Sequence, residues 1–302
     1  MTQTHPDDLM PHLDYSTLVP GSLLEPPAVE VLPGAVSHLQ VRYADVLGWR
    51  PLRLDLHVPS TPGEGLCPVV VYVHGGSFLG GLPTMGPWTT LPRRGIAVAS
   101  VSYRLSGEVA FPEPVEDVRA ALRWLGEHAR DYGIDPDKLA LWGSSAGGYL
   151  AAMVGVTGSR PLGRPVGPVD GGVHVSAVIT HYAVTAPERL REDAYRNSDE
   201  EIAALEVVMQ NFFDGTSPVP TAVTDHLSDQ SQVPPFLLMH GDADRRVGLG
   251  QSRRLHAALE AHGADSELVV VPGAEHGSPA FEADEIVDRV HDFLRRVWSL
   301  NV

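Results

Sequence analysis

Cysteine, basic side chains and long apolar stretches are all scarce in this sequence. The single cysteine, Cys67, excludes a disulfide within the chain. Only 22 basic residues stand against 38 acidic ones, which gives a net charge of −16. A surface this acidic repels phosphate backbones, so nucleic acid is not an expected partner. No apolar run approaches the roughly 20 residues of a membrane-spanning helix, and no membrane partner is expected either.

The N-terminal segment lacks the basic start and the apolar centre of a secretory signal. It reads MTQTHPDDLMPHLDYS, and we therefore expect a cytoplasmic protein. Residues 1–37 begin with a stretch rich in proline and acidic side chains and are interpreted as an extended arm. The rest of the chain, residues 38–302, fits one large domain. Whether the protein forms a homodimer is left open.

Short apolar runs recur along the domain and predict the strands of a mostly parallel sheet. Two leading segments, HLQVRYADV and PLRLDLHVP, alternate apolar and polar residues as half-buried antiparallel strands do. Six later runs are almost continuously apolar, which is typical of strands covered by helices on both faces. These runs lie at residues 68–74, 96–103, 138–143, 175–182, 235–241 and 267–273.

Helical patterns separate these runs, so the predicted fold is α/β: an eight-stranded, mostly parallel sheet flanked by helices. Residues 186–232 do not fit the alternation and are interpreted as a small helical cap inserted after one strand. The apolar residues that share a helix face are Val115, Val118, Leu122 and Leu125; Leu255, Ala258 and Leu259; Ile286, Val290, Phe293 and Val297; and, in the cap, Ile202, Leu205, Val208, Met209 and Phe212.

The sequence Gly143-Ser144-Ser145-Ala146-Gly147 joins an apolar run to a helical pattern and makes Ser145 a candidate nucleophile. At a sharp turn from strand to helix, a strained backbone exposes the serine hydroxyl above the sheet. Glycines flank the serine because a Cβ would collide with the neighbouring strand and helix. The following helix directs free N–H groups at a developing negative charge. The alternative is a tight glycine turn whose serine takes no part in chemistry.

The sequence His74-Gly75-Gly76-Ser77-Phe78 follows another apolar run and predicts an oxyanion hole. Consecutive glycines let a loop direct its backbone N–H groups into a cavity, and the N–H groups of Gly76 and Ser77 would act together with that of Ala146. His74 precedes the nucleophile and is interpreted as a brace for the loop rather than as a base. Taken alone, the segment fits an ordinary glycine turn at the end of a strand.

The candidate general base and its acidic partner follow the nucleophile in the chain. His276 lies in a loop just after the last apolar run, where a side chain overhangs the carboxyl edge of the sheet. Most other histidines after the nucleophile fall within strand or helix patterns. The loop after the preceding run contains two acids, Asp242 and Asp244. We favour Asp244 as the partner of His276 and interpret Asp242 as a cap or buttress of the turn.

Four segments together resemble the esterase and deacetylase branch of the α/β-hydrolase superfamily: HGGSF, GSSAGGYLAAM, HGDADRRV and PGAEHG. That branch includes hormone-sensitive-lipase-like esterases, kynurenine-formamidase-like enzymes and the catalytic domains of prolyl oligopeptidases. The order serine, aspartate, histidine is also that of α/β-hydrolases. The resemblance covers roughly residues 38–298, except for the insert at 186–232.

The resemblance implies roles for individual residues. It assigns Gly75 and Gly76 to the oxyanion hole and Asp244 to the acid of a catalytic triad. Ser77 departs from the commoner third glycine, although a backbone N–H serves equally well from either residue. Ser144 replaces an acid that often precedes the nucleophile in the hormone-sensitive-lipase branch, which weakens assignment to that branch.

The combined prediction is a serine hydrolase that cleaves carboxylic esters of small to medium acyl groups through an acyl-enzyme intermediate, with no cofactor or metal. An amide or formamide hydrolase, a lactone hydrolase and a carbohydrate deacetylase stay open, since the same triad serves each. A hydrolase-like protein that binds a small molecule without turnover is the alternative of another class. The candidates for an apolar pocket lining, each equally suited to the core, are Phe78, Trp88, Phe212 and Phe213.

Overall fold

A single eight-stranded sheet organises the protein, in the strand order β1-β2-β4-β3-β5-β6-β7-β8. The computed structural model describes residues 28–61, 63, 65–167, 172, 174–194, 199–229 and 232–300. The strands are β1 (Ala35–Ala44), β2 (Leu52–Pro59), β3 (Cys67–Val73), β4 (Ala97–Val101), β5 (Ile134–Ser144), β6 (Ala177–His181), β7 (Phe236–Gly241) and β8 (Ser266–Val271). β2 pairs antiparallel with β1 and β4, and every other pairing is parallel. The predicted mostly parallel sheet with an antiparallel edge is therefore confirmed.

The described residues contain six α-helices, of which five lie between strands and the sixth follows β8. They are α1 (Glu113–His128), α2 (Ala146–Thr157), α3 (Leu190–Asp193), α4 (Asp199–Phe213), α5 (Gly250–His262) and α6 (Asp284–Val297). Apolar residues of α1, α2 and α5 join one core cluster on one face of the sheet, and those of α6 join the other cluster. The four predicted helical patterns are confirmed as α1, α4, α5 and α6. None of the helices in the described segments is long and apolar enough to cross a bilayer.

The sheet begins earlier than the sequence patterns predicted. β1 starts at Ala35 rather than at residue 38, and Val29 forms an isolated bridge with Ser37. Ala35 and Ser37 are buried, and the Ser37 hydroxyl lies 2.8 Å from Nδ1 of His57. The buried residues at the start of β1 are small or polar, so this part of the sequence does not show the alternation of apolar and polar residues that predicts a strand. The end of the predicted arm thus belongs to the sheet, while residues 1–27 lie outside the described residues.

The last strand differs from its prediction in burial. The apolar run of β8 was expected to be covered on both faces, yet most of the strand is only half buried and Val270 is exposed. The reason is position, because β8 is the final strand in the sheet order and, within the part of the chain that the structure describes, pairs only with β7. The expectation of two covered faces is therefore wrong for β8.

The topology collects several loops at one edge of the sheet. Parallel strands end at the same edge, so the segments that follow β3, β5, β6, β7 and β8 lie beside one another there. All the predicted site residues belong to these segments or to the first turn of α2. Helices α3 and α4 lie between β6 and β7, within the predicted cap.

Candidate active site

Ser145 occupies a sharp turn between β5 and α2. Its φ and ψ angles are 53° and −117°, a left-handed conformation that is unfavourable for a residue with a side chain. A Cβ on Gly143 would lie 2.2 Å from the carbonyl oxygen of Gly147, in α2. A Cβ on Gly147 would lie 2.0 Å from the carbonyl oxygen of Val73, in β3. The tight packing of helix against strand at this turn therefore requires both glycines.

The structure brings Ser145, His276 and Asp244 into one hydrogen-bonded line. Oγ of Ser145 lies 2.9 Å from Nε2 of His276, and Nδ1 of His276 lies 2.8 Å from Oδ2 of Asp244. An ionised carboxylate only accepts hydrogen bonds, so Nδ1 carries the imidazole proton. Nε2 is then a free acceptor for the serine proton. The Asp244 side chain is fully buried, whereas that of His276 is 12% exposed.

The Asp242 carboxylate links the loop after β7 to the loop after β8 rather than binding the imidazole of His276. Its Oδ1 accepts a hydrogen bond from the N–H of Gly273 at 2.6 Å, which links the loop after β7 to the loop after β8. The N–H of Ala243 also donates to the carbonyl of Ala274 at 3.2 Å. A Cβ on Gly241 would lie 2.0 Å from that same carbonyl oxygen. These contacts fix the acid-bearing loop against the histidine-bearing loop.

Asp244 stays ionised although it is buried. Burial raises the pKa of its carboxyl group, but hydrogen bonds from His240 and His276 outweigh burial and hold the pKa well below its usual range. Its Oδ1 accepts from the backbone N–H groups of Arg246 and Val247, each at 2.8 Å. Its Oδ2 lies 3.3 Å from Nε2 of His240. A carboxylate held by four donors keeps one orientation toward His276.

His240 is a site residue that the sequence reasoning missed. Its side chain is fully buried, and Nε2 faces two acceptors, the carbonyl of Val247 at 2.8 Å and the carboxylate of Asp244. Nε2 therefore carries the proton, and Nδ1 accepts from the hydroxyl of Ser252 at 2.7 Å. His240 ends an apolar run and was taken as a strand residue. The only available signal was its place directly before the Gly-Asp pair.

The loop after β3 is strained where oxyanion donors were predicted. Gly76 has a φ of 123° and Ser77 a φ of 57°, and a Cβ on Gly76 would lie 2.0 Å from the carbonyl oxygen of Gly80. A Cβ on Gly75 would lie 2.9 Å from the backbone of the nucleophile turn. Among the described residues, no protein acceptor takes the backbone N–H of Gly76, Ser77 or Ala146. These N–H groups are therefore available to a ligand.

His74 contacts its own loop, in agreement with a bracing role. Its Nδ1 lies 2.8 Å from the carbonyl of Gly75, and its ring stacks on Tyr103 at 4.5 Å. The Tyr103 hydroxyl donates to the carbonyl of His74 at 3.0 Å. Burial lowers the pKa of His74, so its imidazole stays neutral in the folded protein.

Two cavities meet at Ser77, Arg246 and His276. The first, of about 580 Å³, also contains Ser145 and the segment Thr84–Pro87. The second, of about 470 Å³, is bordered by α4. Further lining residues of the first are Tyr72, Ser144, Tyr182, Phe281 and Glu282, and of the second Glu201, Ala204, Leu205, Val208, Arg245 and Glu275. The walls therefore come from the HGGSF loop, the loop at residues 82–88 and α4.

The four aromatic residues proposed as pocket lining do not border either cavity. Phe78, Trp88 and Phe212 are buried in the core. Phe78 stacks on Phe212 with ring centroids 3.8 Å apart, and Phe213 lies 5.3 Å from the ring of Tyr149. The left-handed φ of 60° at Phe78 accompanies this inward placement. The prediction of an aromatic lining from these residues is therefore wrong.

Esterases are among the known proteins whose sequences are similar to this chain. Esterase LipQ of Mycobacterium tuberculosis is 29% identical over 262 residues, which cover 83% of this chain and 59% of LipQ. Carboxylesterase NlhH of the same organism is 32% identical over 222 residues, covering 70% of this chain and 66% of NlhH. The chain thus spans only about three fifths to two thirds of the length of these two relatives.

Solved structures give the same fold. The propionate-bound esterase Est2 from the Planctomycetes species Thermogutta terrifontis superposes with a TM-score of 0.69 at 25% identity, over 90% of this chain and 96% of that one. The eight-stranded sheet is therefore that of an α/β-hydrolase. The family model described as BD-FAE matches residues 54–259, which include the nucleophile turn and the acid-bearing loop. On this match the chain belongs to the BD-FAE family of the α/β-hydrolase superfamily.

Proposed function

We propose that this protein is a serine hydrolase that cleaves carboxylic esters, with Ser145 as nucleophile, His276 as general base and Asp244 as the orienting acid. The observation that carries the proposal is the continuous hydrogen-bonded line from the Ser145 hydroxyl through His276 to Asp244. The line opens into a cavity next to unpaired backbone N–H groups. The similar proteins LipQ and NlhH add support, since they are an esterase and a carboxylesterase.

In the first step, the Ser145 oxygen attacks the ester carbonyl while Nε2 of His276 takes the hydroxyl proton. The C=O bond becomes a C–O⁻ single bond, and the N–H groups of Gly76, Ser77 and Ala146 are the proposed donors to this oxyanion. Removing one such donor typically costs about 3–4 kcal/mol of transition-state stabilisation. Collapse of the intermediate breaks the ester C–O bond, and His276 returns its proton to the departing alkoxide.

In the second step, water attacks the acyl group on Ser145 while His276 takes its proton, and the Ser145 oxygen leaves and regains that proton. Asp244 remains ionised throughout and stabilises the imidazolium that forms twice per turnover. The left-handed turn at Ser145 aligns the hydroxyl with the imidazole before substrate arrives, so little reorganisation is needed.

The proposed acyl group is small to medium in size. A cavity of about 580 Å³ beside Ser145 accommodates such a group, and the Thermogutta enzyme carries propionate in its solved structure. Amide, formamide, lactone and acetylated-sugar substrates are open alternatives on the same three residues.

We propose that α3 and α4 form the cap, since α4 borders the second cavity. The cytoplasmic location and the absence of nucleic-acid and membrane partners stay predictions, and the question of a homodimer stays open.

The test is steady-state turnover of p-nitrophenyl acetate, butyrate and octanoate by the wild type and by Ser145→Ala. We expect hydrolysis of the two shorter esters by the wild type and a loss of several powers of ten in kcat for the variant, with an unchanged circular dichroism spectrum. Parallel assays with p-nitroanilide, formamide and lactone substrates rank the alternatives. Full ester turnover by Ser145→Ala would refute the assignment of the nucleophile.

A further inference from the structure

Left-handed backbone angles concentrate around the first cavity. Six non-glycine residues of the described chain have positive φ angles, among them Ser77, Phe78, Ser145 and Tyr182, and all of these four except Phe78 line this cavity. Each such conformation is unfavourable for a residue with a side chain and persists only where the surrounding structure imposes it. The first three belong to the two motifs already described. Tyr182, with a φ of 40°, belongs to neither.

The conformation of Tyr182 places its ring beside the catalytic imidazole. Tyr182 directly follows β6, and its N–H donates to the carbonyl of Met239 at 2.8 Å. Its ring meets His276 at a centroid distance of 4.7 Å and an interplanar angle of 64°, and meets Phe281 at 4.6 Å. The ring is therefore wedged between the base and an apolar support, while the side chain still lines the cavity.

The hydroxyl of Tyr182 lies in the same cavity as two other hydroxyl groups. Tyr72 donates to Oγ of Ser144 at 2.9 Å, and Tyr72, Ser144 and Tyr182 all line the cavity. Within the described residues, the Tyr182 hydroxyl donates to no protein acceptor, and its oxygen is not one of the fully buried polar atoms. Its proton is therefore available to a ligand in the cavity.

We propose that Tyr182 is a specificity-determining residue whose hydroxyl donates a hydrogen bond to the substrate. The substrates selected are esters with a hydrogen-bond-accepting oxygen on the group that occupies the cavity between Tyr72, Tyr182 and Phe281. Apolar esters of the same size leave the donor unpaired and bind more weakly. This assignment rests on the proposed ester hydrolysis at Ser145.

Isosteric ester pairs, in which one CH₂ is exchanged for oxygen, test the assignment. In the acyl series, p-nitrophenyl butyrate is compared with p-nitrophenyl methoxyacetate; in the alcohol series, butyl acetate is compared with 2-methoxyethyl acetate. We measure kcat and KM for each pair with the wild type, Tyr182→Phe and Tyr43→Phe. Tyr43 is the matched control, because its buried hydroxyl donates to the carbonyl of Ser102 and it borders neither cavity.

Tyr182→Phe should reduce the preference for the oxygenated ester three- to tenfold in one of the two series, through KM. The kinetic constants of the apolar ester should change little, and Tyr43→Phe should keep the wild-type preference. Dividing the variant's preference by that of the wild type cancels intrinsic reactivity differences between the esters. An unchanged preference in both series would overturn the assignment, and so would an equal loss of kcat for both esters. Failure of the wild type to hydrolyse any ester would refute the proposed function instead.

Discussion

At the scale of single residues, Asp242 and Asp244 show how one loop divides two tasks between two acids. Asp244 is buried beside the imidazole and accepts hydrogen bonds from two histidines and two backbone N–H groups. Asp242 is exposed and accepts from the N–H of Gly273. Two aspartates in one loop therefore have different roles in the folded protein.

Asp244→Asn should lower kcat by about three to four powers of ten. The amide that replaces the carboxylate can donate to Nδ1, which favours the tautomer with a proton on Nε2 and removes the acceptor for the Ser145 hydroxyl. Asp242→Asn is the matched control and should cost less than about tenfold, since it alters only a link between loops. Steady-state kinetics of both variants with one ester measure this. A larger loss for Asp242→Asn would contradict the assignment of the acid.

Gly147→Ala should destabilise the protein and abolish ester turnover. Its Cβ would lie 2.0 Å from the carbonyl oxygen of Val73 and 2.4 Å from that of His74, so β3 and α2 must separate at the nucleophile turn. Gly126→Ala is the control, because a Cβ there meets nothing within 4 Å in the interior of α1. It should raise the free energy of unfolding by roughly 0.5–1 kcal/mol. Urea unfolding measures the free energy of unfolding of both variants. Equal values for the two would contradict the packing of α2 against β3.

The residues found from the sequence share a local signal that others lack. Ser145, His276 and Asp244 lie in loops next to glycine, directly after apolar runs, and this pattern made them conspicuous. His240 and Tyr182 lie at the ends of apolar runs and resemble strand residues. Their roles come from side-chain contacts in the folded chain, with Asp244 in one case and with His276 in the other. One-dimensional patterns do not contain such contacts.

At the scale of elements, α4 is joined to the loop that carries the proposed oxyanion donors. Phe212, at the C-terminal end of α4, stacks on Phe78, which directly follows Ser77. The two rings are nearly parallel, with an interplanar angle of 3°. The N–H of Phe111 also donates to the carbonyl of Phe212 at 2.8 Å. The packing of this helix therefore supports the strained conformation of the loop.

Phe212→Ala should lower the free energy of unfolding by about 3–5 kcal/mol and should also lower kcat, because the loop at Ser77 loses its support. Val207→Ala, on an exposed position of the same helix, should change stability by less than about 0.5 kcal/mol and should leave kcat unchanged. Chemical denaturation and ester kinetics of both variants measure the effects. Loss of stability without loss of kcat in Phe212→Ala would contradict the coupling between helix and loop.

The elements themselves were largely predictable, and their surroundings were not. Apolar runs predicted every strand after β2, because a continuous apolar segment tends to be buried whichever elements pack against it. Those runs did not reveal that β8 lies at the sheet edge, where Val270 is exposed. Nor did periodicity show that Phe78 and Phe212 meet each other rather than a ligand. Strand order and side-chain partners depend on tertiary packing, which a period of two or 3.6 residues does not encode.

At the scale of the whole molecule, stability should depend on pH through a buried histidine. His181 is fully buried between Trp142 and Phe281, and neither of its ring nitrogens has a hydrogen-bond partner in the described residues. Burial lowers the pKa of His181 to about 3. Below the ordinary histidine pKa of about 6.5, the unfolded chain therefore binds a proton that the folded protein excludes.

Stability should consequently fall as the pH drops from about 6.5 toward 3, with His181 contributing up to about 1.4 kcal/mol per pH unit. His181→Phe removes the contribution of this histidine, so the free energy of unfolding should change less with pH than in the wild type. The exposed His174, changed to Asn, is the control and should keep the wild-type slope. Urea unfolding at several pH values between 7 and 4.5 measures the slopes. Parallel slopes for the wild type and His181→Phe would contradict the buried, unpaired imidazole.

Covalent labelling by a fluorophosphonate, followed by peptide mass spectrometry, tests the hydrolase assignment most directly. Such a probe reacts with a serine only when a base activates its hydroxyl. Labelling of Ser145 therefore shows that residues 145, 276 and 244 act together in the folded protein. We expect a single adduct on the peptide that contains Ser145, loss of ester turnover in proportion to labelling, and no adduct on Ser145→Ala. An enzyme that hydrolyses esters while the adduct forms elsewhere, or not at all, would contradict the account.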